Sequence, residues 1–162
     1  MRKVNVYLLS SYCLVASLLL SGCSHAKPVG LAIVGYNYTN QRIEVFSVTD
    51  EKGNSAGGDS LQLSTPTSGG GGLVCCVMLD TTTKRSTRLH IWWRTEAVID
   101  KNGRILAPER ENTREVTVSP PFPPDPGNFE VHFYPDGHVE AAVTQYLSEP
   151  RIKLPEGRGV HP

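Results

Sequence analysis

Apolar residues recur along the chain mostly with a period of two or in short runs, which is the pattern of β-strands. The clearest alternation lies in Arg88–Thr95, where Leu89, Ile91 and Trp93 share one face. Leu73–Leu79 is apolar on both faces and predicts a buried central strand. The remaining predicted strands, in chain order, are Leu31–Tyr36, Arg42–Val48, Val98–Ile99, Ile105–Leu106, Arg114–Ser119, Phe129–Tyr134 and His138–Tyr146.

About eight short strands with one buried face predict an all-β fold, either a single antiparallel β-sandwich or a partly open barrel. Two stretches interrupt the strands. Residues 50–72 form a long polar connection, and the prolines of segment 120–126 exclude regular pairing. We expect the folded domain to span residues 30–155 and a short C-terminal tail to follow at 156–162.

The final hairpin allows the pairing of its two strands to be predicted. A three-residue turn, Pro135–Gly137, brings apolar residues opposite each other in the pairs Phe133–Val139, Val131–Ala141 and Phe129–Val143. A two-residue turn would instead place Phe133 opposite Glu140 and spoil the apolar face. Proline at the first turn position and glycine in a left-handed conformation also suit the longer turn.

The N-terminal segment has the order of charge and hydrophobicity of a lipoprotein signal peptide. Two basic residues precede Val6–Leu20, a mainly apolar stretch of 15 residues. A helix that spans a bilayer needs roughly 17–25 residues, so this length suits a signal peptide. The stretch ends in Leu20-Ser-Gly-Cys23, which resembles a bacterial lipobox. We predict a signal peptide over 1–22 and lipidation of Cys23; an ordinary secretory signal or a short anchor helix is the alternative.

Lipidation of Cys23 determines where we expect the mature protein. Several acyl chains on one residue give stable anchoring, and residues 23–29 would form the tether. Ser24 occupies the position where an Asp usually retains Gram-negative lipoproteins in the inner membrane. We therefore expect an outer-membrane lipoprotein that faces the periplasm and contacts the membrane through its N-terminal lipid.

Composition excludes several classes of protein. The chain has 16 basic and 16 acidic side chains, so its formal net charge is zero and gives no electrostatic basis for binding nucleic acid. Apolar residues make up 39% of the 162 residues and lie in short runs, which excludes a polytopic membrane protein and a coiled coil.

Polar residues of the final hairpin form the best candidate cluster for metal or acid–base chemistry. The predicted register places His132 opposite Glu140 and near His138, and a further imidazole would have to come from His90. The spacing matches no zinc motif, and a His–Glu cross-strand pair is typical of a solvated sheet face, which we favour. The glycine run Ser68–Gly72 lacks the lysine and the helix of a phosphate-binding loop. We predict no catalytic residue, metal or cofactor.

Cys75 and Cys76 are adjacent in the predicted central strand. An oxidising compartment permits a disulfide between them. However, neighbouring strand side chains point to opposite faces, and adjacent Cα atoms lie about 3.8 Å apart, closer than the roughly 4.4–6.8 Å of ordinary disulfides. The sequence leaves both states open, and this geometry favours two buried free thiols over the disulfide.

The strand at Arg88–Thr95 also contains candidate partner contacts. Trp93 aligns with the apolar face and should lie in the core, whereas Trp92 shares the opposite face with Arg88 and Arg94. Tryptophan and arginine often anchor protein interfaces, so we predict that Arg88, Trp92 and Arg94 contact a partner. A Trp92 covered by a loop or by the other sheet is the alternative.

Several segments, taken in order, resemble a family of proteobacterial lipoproteins known only as a domain of unknown function. The matching segments are Gly35–Thr39, Phe46–Val48, Ser68–Gly72, Val74–Val77 and Phe129–Gly137. The glycine run followed by the double cysteine is the most specific of them. Members are often encoded beside type VI secretion effectors, especially phospholipases, which implies an immunity protein that binds and inhibits such an effector.

Two other functions remain open from the sequence. One is a structural or envelope-maintenance outer-membrane lipoprotein without a toxin partner. The other is an enzyme or metal binder that uses His132, His138 and Glu140. The resemblance assigns no catalytic role to any residue, and it implies a protein effector as the partner.

Overall fold

Ten β-strands account for the regular structure of residues 27–155, which are the residues that the computed structural model describes. In chain order they are β1 (Val29–Asn37), β2 (Ile43–Asp50), β3 (Ser55–Gly58), β4 (Gly70–Leu79), β5 (Thr87–Thr95), β6 (Val98–Ile99), β7 (Ile105–Ala107), β8 (Arg110–Val118), β9 (Asn128–Phe133) and β10 (Val139–Thr144). Within 27–155 no helix is long and apolar enough to cross a membrane.

Eight of these strands form two four-stranded sheets that pack face to face. The first sheet has the strand order β10-β9-β1-β4, and the second has the order β3-β2-β5-β8. Their facing sides meet in one apolar core, whose largest buried side chains include Leu31, Ile33, Phe46, Ile91, Phe129 and Phe133. Trp93 lies in this core as predicted, with its ring centroid 5.2 Å from that of Phe133. The predicted β-sandwich is confirmed.

One strand pair departs from the predicted antiparallel arrangement. β1 and β9 run parallel, with Ile33 opposite Phe129 and Asn37 opposite Phe133. The connection explains the difference. β8 ends at the end of the sandwich where β1 begins, and the proline-rich segment 119–127 leads from there to β9. Because β9 therefore starts beside the start of β1, it runs in the same direction.

The predicted register of the final hairpin is confirmed. Phe133 lies opposite Val139, Val131 lies opposite Ala141, and Phe129 lies opposite Val143, as predicted. The turn is closed by a 3.1 Å hydrogen bond from the Tyr134 N–H to the His138 carbonyl. Gly137 has a φ of +82°, the left-handed conformation that the longer turn requires.

The predicted buried central strand is an edge strand. β4 pairs with β1 and lies at the border of the first sheet, with Leu73 and Met78 both more than half exposed. β4 begins at Gly70, inside the glycine run. Glycine is required in part of this run because the backbone there lies too close to neighbouring atoms to leave room for a side chain. A Cβ at Gly71 would lie 2.4 Å from the Leu61 side chain. The predicted polar connection 50–72 therefore contains β3, an isolated bridge at Leu61 and the start of β4.

The strand directions define two ends of the sandwich. We call the end where β1 begins the proximal end; it carries the connections 51–54, 80–86 and 119–127. The opposite, distal end carries the β1–β2 loop at 38–42, the β9–β10 turn and the excursion between β5 and β8. That excursion contains β6 and β7, at the positions of the predicted strands Val98–Ile99 and Ile105–Leu106, and the two form a hairpin that pairs only with itself.

Candidate functional site

The outward face of the second sheet carries the residues that the sequence predicts as partner contacts. On β5, Arg88, Trp92 and Arg94 alternate with the core residues and lie on the solvent side of the sheet. Trp92 is half-buried, whereas Trp93 is only 5% exposed. The structure therefore brings the three predicted residues together on one surface.

Small residues surround Trp92 on this surface. Ser47 of β2 and Thr113 of β8 are its cross-strand neighbours, and Gly57 of β3 lies beyond Ser47 in the same row. A Cβ at Gly57 would have no heavy atom within 4 Å. We call Arg88, Trp92 and Arg94, together with this row, the Trp92 face. Its small side chains leave the indole accessible from solvent.

Carboxylates on neighbouring elements hold the two arginines at the borders of the Trp92 face. Arg94 Nε lies 2.8 Å from Glu44 Oε2 and 3.6 Å from Glu109 Oε1. Arg88 Nε lies 3.5 Å from Glu115 Oε1. Exposed ion pairs of this kind add little to stability. Their main effect is to orient the guanidinium groups on the same face of β5 as Trp92, two residues after it for Arg94 and four residues before it for Arg88.

The outer side of the first sheet contains a buried polar network that the sequence did not predict. Glu130 and His132 of β9 are both 0% exposed. The Nε2 atom of His132 lies 3.3 Å from Glu130 Oε2, and its Nδ1 atom lies 3.0 Å from the Tyr38 hydroxyl oxygen. The solvated face expected around His132 is therefore wrong, because another segment of the chain covers it.

The covering segment is residues 145–155, which we call the C-terminal strap. The backbone N–H of Ser148 donates a 2.8 Å hydrogen bond to Glu130 Oε1, and the N–H of Arg151 donates one of the same length to the Tyr38 hydroxyl. The hydroxyl of Tyr36 donates a 2.7 Å bond to the Ser148 carbonyl. The network thus ties the strap to β1 and β9.

These contacts determine where the protons of the network lie. Because the Tyr38 hydroxyl accepts from Arg151, its own proton can bond to Nδ1 of His132, and the Nε2 proton of His132 then bonds to Glu130. Burial lowers the pKa of the His132 imidazole. Burial alone would raise the pKa of Glu130, but hydrogen bonds from His132 and Ser148 outweigh it and lower that pKa. The pair is thus a neutral imidazole beside an ionised carboxylate.

The pair of Glu130 and His132 has the composition of an acid–base dyad, but its position suits a structural role. Neither side chain is exposed, and their polar atoms bind one another, Tyr38 and Ser148. A substrate could reach them only after the strap had opened. The network therefore holds the strap on the sheet.

Two other members of the predicted polar cluster remain neighbours on the exposed side of the final hairpin, where His138 Nε2 lies 3.8 Å from Glu140 Oε1. The ring of His138 stacks on Tyr134 with 4.1 Å between centroids, and the carboxylate of Glu140 pairs with Arg151. His90 lies on the second sheet, facing solvent. In the part of the chain covered by the structure, no three His, Cys, Asp or Glu side chains are grouped so that they could hold a metal ion. The structure thus keeps His138 and Glu140 together at the surface, buries His132 and places His90 on the other sheet.

Cys75 and Cys76 form a disulfide, so the expectation of two buried free thiols is wrong. The reason is a β-bulge. Leu31 pairs with Val77, but Ile33 pairs with Val74, so the two cysteines together face a single residue of β1. The bulge breaks the regular alternation of side chains on which the expectation depended. The bridge lies on the edge strand, with Cys75 exposed and Cys76 half-buried.

Sequence comparison places most of this fold in one family. The family described as a protein of unknown function (DUF3304) matches residues 36–141, which is more than half of the 162 residues. The chain belongs to this family. Neither a curated protein nor a solved structure matches it. The DUF3304 region includes the whole Trp92 face and the disulfide, and it ends within β10, before the C-terminal strap.

The predicted lipidation site lies outside the described residues. Cys23 and the signal peptide over 1–22 precede Lys27, the first residue that the structure describes. β1 begins at Val29, the last residue of the predicted tether. The tether would therefore join the domain at its proximal end.

Proposed function

We propose that the chain is a lipid-anchored immunity protein. Its lipid at Cys23 would hold it on the periplasmic side of the outer membrane, where it binds and inhibits a type VI secretion effector. The resemblance of the sequence favours a phospholipase as that effector. A lipase delivered to the periplasm attacks the lipids of the same surface, so an anchored inhibitor meets it there.

The observation that carries this proposal is the Trp92 face. It combines an accessible indole with two oriented guanidinium groups on a rigid sheet, and tryptophan and arginine are the residues that most often dominate the binding energy of protein interfaces. Because β5 is a central strand, the backbone that carries these side chains is fixed by pairing on both sides. Such a surface needs little ordering before it binds.

Inhibition by this surface would require no catalytic group. An interface of ordinary size buries about 1,600 Å² in total, which one sheet face and its adjoining loops can supply. A partner covered to this extent cannot present its substrate entrance to a membrane. This mode of action is consistent with the position of Glu130 and His132, the acid–base pair of the domain, beneath the strap.

The test is protection of cells from a candidate type VI secretion phospholipase. That lipase is exported to the periplasm in cells that carry the wild-type protein, Trp92→Ala, or no copy. We expect survival with wild type and death without it. We expect Trp92→Ala to bind the purified lipase at least about tenfold more weakly, as measured by calorimetry, because the central aromatic contact is lost.

Arg85→Ala is the matched control, because Arg85 is an exposed residue of the β4–β5 connection at the proximal end. It should protect cells as well as wild type does. Equal death with and without the wild-type protein, together with no binding of the pure pair, would refute the immunity function and favour an envelope-maintenance lipoprotein. Normal binding by Trp92→Ala would leave that function in place and refute only the assigned contact.

A further inference from the structure

The excursion between β5 and β8 is longer than strand pairing requires. Thr95 and Arg110 are cross-strand neighbours, so a hairpin turn of 2–5 residues could join the two strands. The chain instead places residues 96–109 between them and builds the β6–β7 hairpin from this insertion. The sandwich is complete without this hairpin, which forms its own two-stranded sheet.

The hairpin exposes large aliphatic side chains. Ile99 is 53% exposed, Ile105 is 61% exposed and Leu106 is 49% exposed. None of the three belongs to the apolar core. Ile99 and Ile105 are cross-strand partners, and Leu106 lies next to Ile105 on the opposite face, so the hairpin exposes aliphatic side chains on both faces. Exposed aliphatic clusters of this kind mark candidate interaction sites.

Two sets of hydrogen bonds hold the hairpin in one conformation. At its tip, Asp100 Oδ1 accepts from the backbone N–H groups of Asn102 and Arg104, each at 2.9 Å. At its base, the side-chain amide of Gln41 donates to the carbonyl of Glu96 at 3.1 Å and to that of Pro108 at 3.3 Å. The apolar residues are therefore presented on a preorganised element, which reduces the entropy cost of binding.

The position of the hairpin indicates what it contacts. It extends from the distal end, whereas the predicted tether joins the proximal end. The nine residues of β1 separate the two ends by about 30 Å. The six peptide steps from Cys23 to Val29 reach at most about 20 Å. A tether of this length cannot let the domain invert and stand on its distal end, so we take a protein in the periplasm, and not the anchoring membrane, as the target of the hairpin.

We infer that the β6–β7 hairpin is the inhibitory element, and that it inserts Ile99, Ile105 and Leu106 into the acyl-chain cleft of a lipid-hydrolysing enzyme. This inference rests on the proposed function. In it, the Trp92 face supplies most of the binding affinity for the enzyme, and the hairpin blocks the enzyme's substrate cleft. The substrate cleft of such an enzyme must be apolar and concave to accept fatty acyl chains. Exposed aliphatic side chains on a narrow, rigid protrusion match that shape and chemistry.

The test compares two sets of aliphatic-to-threonine changes in the full lipidated chain. The hairpin variant is I99T/I105T/L106T, and the matched control is L73T/M78T on β4, where the two side chains are 57% and 53% exposed. Threonine keeps the preference for strands, so both variants should fold. We expect the hairpin variant to inhibit the lipase at least about tenfold more weakly, and the control to change by less than about twofold.

Three outcomes would overturn the inference in distinguishable ways. If the wild-type chain neither binds nor inhibits the lipase, the proposed function itself fails. If wild type inhibits and the hairpin variant inhibits equally well, the immunity function stands and the hairpin has no blocking role. Equal loss in the control L73T/M78T would also remove that role. Ile105→Thr alone, the smallest change, repeats the test if the triple variant melts at a lower temperature.

A final measurement separates a protein target from the bilayer. Asn102→Cys at the tip of the hairpin carries an environment-sensitive fluorophore, and the lipidated chain is placed on vesicles of phosphatidylethanolamine and phosphatidylglycerol. We expect the emission to shift to shorter wavelength only when the lipase is added. A shift on vesicles alone would show that the hairpin enters the membrane and would overturn the inference.

Discussion

At the scale of single residues, the pair of Glu130 and His132 is the least expected feature of the domain. Burial of a carboxylate is costly unless hydrogen bonds replace its water, and here His132, Ser148 and the hydroxyl of Thr144 do so. The same bonds hold a segment that lies outside the sandwich. Polar side chains at two alternate positions of β9 thus connect the sheet to the strap.

The pKa shifts of this pair predict that the domain loses stability in acid. The pKa of His132 is lowered in the fold, so the unfolded chain binds its proton first as the pH falls below about 6.5. The pKa of Glu130 is also lowered, so further stability is lost as the pH falls below about 4.3. Urea titrations between pH 7.5 and 4 should show the free energy of unfolding falling with acidification.

Substitution separates the contribution of His132 from the general effect of acid. His132→Gln should cost about 1–3 kcal/mol at pH 7, because Tyr38 and Glu130 lose a buried partner. It should also flatten the decline between pH 6.5 and 5. An unchanged slope in His132→Gln would show that other groups carry the acid sensitivity.

At the scale of elements, turns and bulges decide which side chains share a face. The Pro135–Gly137 turn sets the register of β9 and β10, and one bulge between β1 and β4 allows Cys75 and Cys76 to bond. The turn could be predicted because its residues and the apolar pairs beyond it are close in sequence. The bulge depends on how β4 meets β1, some forty residues away, and alternation within β4 does not reveal it.

The turn gives a prediction at this scale. Gly137→Val should reduce the free energy of unfolding by about 1–3 kcal/mol, because a β-branched residue is strained at a φ of +82°. The matched control is Gly72→Val, since a Cβ at Gly72 meets no atom within 4 Å and its φ is not positive. Denaturant titration measures both. Equal stability of Gly137→Val and Gly72→Val would contradict the role of the left-handed glycine.

At the scale of the whole molecule, local sequence patterns predicted the β-sandwich. They did not predict that β4 is an edge strand or that the C-terminal strap covers the outer side of the first sheet. Alternation placed Leu89, Ile91 and Trp93 in the core, because period two is a property of one strand. Burial of His132 depends instead on the strap. The contact from Arg151 to Tyr38 joins residues 113 positions apart in the chain, and no local pattern indicates that pairing. The alternation of Ile152 and Leu154 with charged residues is the one sign in the sequence that the strap packs.

Attachment to the membrane is the last prediction, and the proposed function depends on it. Cys23→Ala should abolish acylation, since the thiol that receives the lipid is absent, and the protein should no longer fractionate with outer membranes. Intact-mass measurement and sucrose-gradient fractionation test this directly. Cys75→Ser is the matched control, because it removes a thiol of the edge-strand disulfide and leaves the lipobox intact. If Cys23→Ala still carries acyl mass and still sediments with outer membranes, another residue is the anchor. If it becomes soluble yet protects cells fully, anchoring has no part in inhibition, and the short tether no longer argues for a protein as the target of the hairpin.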